Sequence, residues 1–113
     1  MNDKFETLTK ELSKNIRSIK KGLPEVMDSF SNLSLTSMKD GSLNKKTKEL
    51  IALAIAVSKR CDGCIGFHIK ALVHLKASKE EVLETLGVAV YMGGGPSLMY
   101  AAEALKAYDE FST

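Results

Sequence analysis

An all-α domain of about six helices is the fold the sequence predicts, on three observations. Apolar residues recur at steps of three and four in segment after segment. No segment alternates at period two. The breaks between segments fall on residues that cap or end helices: Gly22-Leu23-Pro24, Gly41, Asn44, Ser78 and Gly93-Gly94-Gly95-Pro96. With 113 residues the chain fits one domain, 1–113, long enough to bury a core without disulfide or metal staples.

Phe5, Leu8, Leu12, Ile16, Ile19 and Leu23 form the stripe of a first helix, over 1–22. Its other face carries Lys10, Lys14, Arg17, Lys20 and Lys21, but Asp3, Glu6 and Glu11 dilute the charge and no aromatic residues are interleaved. A solvated face is therefore expected rather than a nucleic-acid surface. Pro24 suits the first turn of a second helix with Val26, Met27, Phe30 and Leu33 on one side, running into SNLSLTSMKDGS. Ser42 or Asn44 can cap the third, which carries Glu49 and the eight-residue apolar run Leu50 to Val57. That run shows almost no polar side, so it is expected to be covered all round.

The fourth helix should begin at Cys61 or Asp62, with Ile65, Ile69, Leu72 and Leu75 on its stripe. Ser78-Lys79-Glu80-Glu81 reads as a capping box for a fifth, burying Val82, Leu83, Leu86, Ala89 and Val90. The triple glycine lacks the Lys-Ser/Thr ending of a phosphate loop and reads as a tight turn. Pro96 then starts a last helix with Leu98, Ala101, Ala102, Leu105 and Tyr108 as its stripe.

Sixteen basic against fourteen acidic residues leave a net charge of +2, which implies no strong attraction to nucleic acid or membrane. MNDKFETLTKEL lacks the apolar core of a signal peptide and no run reaches 18 apolar residues, so a cytoplasmic location is expected. In a reducing compartment, two cysteines three apart point to catalysis or metal binding rather than to a staple.

The chemistry concentrates in Glu49, Cys61, Cys64 and His68. Cys64 and His68 are four apart, hence one turn apart on one face of a helix. A helix N-terminus and a neighbouring imidazole both favour a thiolate, the nucleophilic form of cysteine. Lys59 and Arg60 favour it too, and Asp62 opposes it. Cys61, farther out at the helix start, can attack an oxidised Cys64 and close a disulfide. Glu49 can orient His68, giving a proton relay Glu49 to His68 to Cys64. The alternative is a zinc module using Cys61, Cys64 and His68, with Glu49 as a fourth donor, although a second pair of Cys or His is missing. A thioredoxin fold is not expected, because both flanks read as helix, not strand. His74, six residues after His68 and about 240° around the helix, should face away from the site.

These residues also carry a resemblance. Glu49, Cys61, Cys64 and His68, in the pattern Glu…Cys-x-x-Cys-x-x-x-His, together with KTKELIALA, SKEEVLE and YMGGGPSLMYAAEAL, resemble the small single-domain AhpD-like alkylhydroperoxidases of the carboxymuconolactone decarboxylase superfamily, over roughly 23–110. The resemblance implies an all-helical fold, no cofactor, a hydroperoxide substrate, and a dithiol or protein reductant. It also implies Cys64 as the residue oxidised to sulfenic acid, Cys61 as proton donor and resolving partner, and Glu49 and His68 as the relay. Characterised peroxidases of the family commonly have a His before the second cysteine, where this chain has Gly63. Decarboxylation is a remote alternative, since that branch lacks the cysteine pair.

A homo-oligomer, hexamer or trimer by resemblance, is expected from the apolar run 50–57 and from the small residues Ala101, Ala102, Ala104 and Ala107 on the last helix. Relatives with two helical halves point the same way. Met92, Met99, Tyr91 and Tyr100 read as core or interface residues.

Overall fold

A computed structural model describes residues 3–113. In chain order the helices are α1 (Lys4–Gly22), α2 (Pro24–Met38), α3 (Lys45–Ser58), α4 (Asp62–His74), α5 (Lys79–Gly93) and α6 (Gly95–Ser112), and no strand occurs among the described residues. The first two residues of the helix expected over 1–22 lie outside that range.

Local chemistry sets most of the boundaries. Asn44 caps α3 by accepting from the Thr47 amide at 2.8 Å. Ser78 and Glu81 close the capping box of α5 in both directions. Glu81 also pairs with Lys46 of α3 at 2.8 Å, and that hydrogen bond, with the one from the Ser78 amide, holds its carboxyl below the ordinary 4.5. Gly94 turns the chain between α5 and α6 at φ 75°, a left-handed conformation that a side chain would strain.

Helices α3 and α4 end alike. Arg60 N–H bonds to Val57 O at 3.1 Å and Cys61 N–H to Ala56 O at 3.1 Å. Lys76 N–H bonds to Val73 O at 3.0 Å and Ala77 N–H to Leu72 O at 2.9 Å. This is the double closure of a Schellman motif, with Arg60 (φ 57°) and Lys76 (φ 63°) at the position usually given to glycine. The first closure delivers the chain directly to Cys61, the N-cap of α4.

The core lies among α3, α4, α5, α6 and the first turns of α1, where Phe5, Leu53, Val57, Ile65, Ile69, Leu72 and Val82 are fully buried. Tyr108 of α6 pins the α4–α5 connection by donating to Ala77 O at 2.9 Å.

Four expectations about faces are corrected. On α6 the buried row is Ser97, Ala101, Ala104, Ala107 and Glu110, while Leu98 is half exposed and Ala102 is exposed; three of the four alanines thus serve close packing inside the chain. On α5, Leu83 faces out. Of the run 50–57, Leu53, Ala56 and Val57 are buried but Ile51 and Ile55 are exposed. On α1 the stripe works only in its first half: Phe5 and Thr9 are buried, whereas Ile16, Ile19 and Leu23 are exposed. Helix α2 buries no residue at all. No helix among the described residues is long and apolar enough to cross a membrane.

Candidate active site

Cys61 has an extended backbone (φ −108°, ψ 97°), and its sulfur accepts from the Cys64 amide at 3.2 Å. It therefore fills the place that an oxygen-bearing side chain usually takes at a helix start. Cys64 is the third residue of α4, so both sulfurs stand over the positive end of the helix dipole. They are joined as a disulfide, with Cα atoms 5.2 Å apart. Cys61 stands at the N-cap, just outside α4, and is half-buried, whereas Cys64 is exposed.

Glu49 and His68 arrive from different helices. Glu49 lies in the second turn of α3 and is 7% exposed; His68 lies one turn beyond Cys64 on α4. His68 Nδ1 and Glu49 Oε1 are 2.6 Å apart. A buried carboxylate needs a partner, and here the imidazole is that partner. The acceptor fixes the proton on Nδ1 and leaves Nε2 as the other working nitrogen. Among the described residues no hydrogen bond joins His68 to Cys64, whose sulfur is bonded to Cys61 and carries no proton. Nor is any group of three or more His, Cys, Asp or Glu arranged to hold a metal ion among the described residues.

Asp62 lines a hollow with Asp3, Lys4, Thr7, Leu8 and Glu11, and its Oδ1 is buried without a hydrogen-bond partner among the described residues. The Lys4 ammonium nearby is raised above 10.5, chiefly by its hydrogen bond to Glu103, with the field of Asp62 adding to it. His74 is exposed and lines a separate hollow with Phe67, Lys70 and Phe111. Gly93 to Gly95 form the α5–α6 turn, where a Cβ on Gly93 would run into Ser97.

Two features of the site's surroundings escape sequence reading. Glu110, buried on α6, accepts from the Phe5 amide at 2.8 Å and the Glu6 amide at 3.3 Å, capping α1 from a distance of more than a hundred residues in sequence. No local spacing signals such a contact. The second is the crossing of α1 over Gly63 and Gly66 of α4, for which the only sequence signal is two glycines one turn apart inside a helix.

Comparison with known proteins agrees with the all-helical fold. The model of the carboxymuconolactone decarboxylase family matches residues 24–107. A carboxymuconolactone decarboxylase family protein of Legionella pneumophila, known from its crystal structure, is 60% identical, with 99% of this chain and 100% of that one covered at a TM-score of 0.98. A Thermotoga maritima family protein, whose description raises an involvement in antioxidative response, is 32% identical, with 95% of this chain and 88% of that one covered at a TM-score of 0.78. An uncharacterised protein of Cupriavidus necator is 36% identical over 109 residues, 96% of each chain.

Proposed function

The chain belongs to the carboxymuconolactone decarboxylase family, and we propose that it is a thiol-dependent peroxidase and disulfide oxidoreductase of the AhpD-like kind. The observation that carries the reading is the disulfide at the start of α4 with the Glu49–His68 pair one turn away. The antioxidative response suggested for the Thermotoga relative is in keeping with it.

In the reduced protein, His68 takes the proton of Cys64 through its free nitrogen, directly or through water, and Glu49 stabilises the imidazolium that results. The amides of the first turn favour a negative sulfur. The Cys64 thiolate attacks the outer oxygen of a hydroperoxide. The O–O bond breaks, the alcohol leaves with a proton returned by His68, and Cys64 becomes a sulfenic acid. Cys61 then attacks that sulfur and releases water, giving the disulfide, and an external dithiol supplies two electrons and two protons to restore both thiols. Cys64 fits the first step because it is the exposed sulfur, and Cys61 fits the second because it is half-buried and already within disulfide reach.

The working unit is a homo-oligomer, hexamer or trimer. Its support is the uncovered apolar side of α2 (Val26, Phe30, Leu33) together with Ile51 and Ile55 of α3. Large apolar side chains left uncovered in this number suit an interface.

Turnover of an organic hydroperoxide with a dithiol reductant tests the function. Glu49→Gln and His68→Asn should each slow the intact protein's reaction by about 10²–10⁴, and the double variant by little more, because they act as one relay. Absence of turnover in the intact protein, or full multiplication of the two losses, contradicts the mechanism.

A further inference from the structure

We infer that α1 positions the redox turn of α4, through Leu12 on Gly63. The inference rests on the dithiol reading of Cys61 and Cys64, but it is read from the thiol itself rather than from turnover. Helix α1 lies outside the residues the family model matches, 24–107, yet its first half belongs to the core, with Phe5 and Thr9 buried. It crosses α4 where α4 has no side chains. A Cβ on Gly66 would stand 2.8 Å from Thr9 Cγ2, and one on Gly63 would stand 2.7 Å from Leu12 Cδ1. Gly63 directly precedes Cys64 and lies inside the loop the disulfide closes. At about 100° per residue, Gly66 is about 200° from His68, so α1 braces the turn from the side away from Glu49 and His68.

Helix α1 is itself anchored at the end that touches α4. Its own N-cap, Asp3, makes no side-chain bond, and Glu110 of α6 takes the amides of Phe5 and Glu6 instead. A carboxylate there satisfies donors that a helix start leaves open and meets the positive end of its dipole. Beside it Lys4 pairs with Glu103, again on α6. Gly63 directly precedes Cys64, so a small tilt of the braced turn would move the Cys64 sulfur relative to the helix start of α4 and to His68 one turn on, and with it the share of Cys64 held as thiolate. A Cβ on Gly63 would press on the tip of the Leu12 side chain, so the residue before Cys64 and Leu12 share one space, and a change at either shifts the other.

The test is the rate of Cys64 alkylation by iodoacetamide against pH, in the fully reduced protein, with the modified residue identified by peptide mass. Gly63→Ala and Leu12→Ala should each move the pH midpoint upward and slow alkylation at neutral pH by about three- to tenfold. The double variant should return to within about twofold of the intact protein, because the new methyl fills the room the leucine leaves. The charged neighbours of the turn, Lys59, Arg60 and Asp62 beside it, Lys4 and Glu11 on α1, Glu49 on α3 and His68, are unchanged in all three, so a moved midpoint reports its position. If Gly63→Ala does not fold, Leu12→Ala alone decides, being a truncation of a half-buried side chain. An unmoved midpoint in Leu12→Ala, or a double variant no better than Gly63→Ala, overturns the inference. Coupling without peroxide turnover would sink the peroxidase reading and keep this one; turnover without coupling would do the reverse.

Discussion

Helices α2 and α4 are both rich in apolar residues, and the structure treats them in opposite ways. Ile65, Ile69 and Leu72 of α4 are fully buried, while Val26, Phe30, Leu33 and Leu35 of α2 are 59%, 63%, 62% and 73% exposed. The difference is one of neighbours: α4 is packed by α1, α3 and α6, whereas α2 meets only α1 and, at its end, α3. Burying each large aliphatic side chain contributes about 1.5–3 kcal/mol, which α4 gains within one chain and α2 does not. Helix α4 is therefore rigid enough to hold two sulfurs and an imidazole in register. Helix α2 leaves its apolar side uncovered, and it is the face proposed above for a second copy of the chain.

The largest effect that would break this contrast is on assembly. Phe30→Glu combined with Leu33→Glu should convert the oligomer into single chains near 12.3 kDa by light scattering, with helical content of α3 to α6 retained. An intact protein that already scatters as one chain would remove the role assigned to α2.

Stability sharpens the same comparison. Ile69→Ala, in the packed interior, should cost about 2–5 kcal/mol in urea unfolding. Phe30→Ala, measured in a Leu33→Glu background that light scattering shows to be a single chain, should stay within about 0.5 kcal/mol of its parent. Similar losses at both sites would mean that α2 is buried after all.

Much of this contrast was legible in the residues, but not all of it. Helix starts were readable because caps are local: Asn44, Ser78 with Glu81, and the break before Asp62 each act on amides within three residues. The grouping of Cys61, Cys64 and His68 was readable for the same reason, as spacing on one helix fixes it. Which face of α6 is buried was not. The stripe through Leu98 and Ala102 looked more apolar than the row through Ala101, Ala104 and Ala107, yet close helix approach selected the small row. The exposure of Ile16, Ile19 and Leu23 was also hidden, since a stripe shows that a face suits cover and not whether the chain itself supplies it. Glu110 on the amides of Phe5 and Glu6 is a purely tertiary contact.

The smallest expected effect lies at the end of α4. Lys76 sits at φ 63° in a position suited to glycine, so Lys76→Gly should raise stability by about 0.5–1 kcal/mol, the relief of the left-handed strain less the entropy of the added glycine. A loss of stability would show that the lysine side chain contributes more than its backbone costs.

The central claim is that Cys64, on the rigid helix, is the sulfur that meets peroxide. Trapping sulfenic acid with dimedone after one equivalent of hydroperoxide, in Cys61→Ser and Cys64→Ser, tests it most directly. The account predicts one adduct, on Cys64, in Cys61→Ser and none in Cys64→Ser. An adduct on Cys61 in Cys64→Ser, formed as fast as any on Cys64, would contradict it.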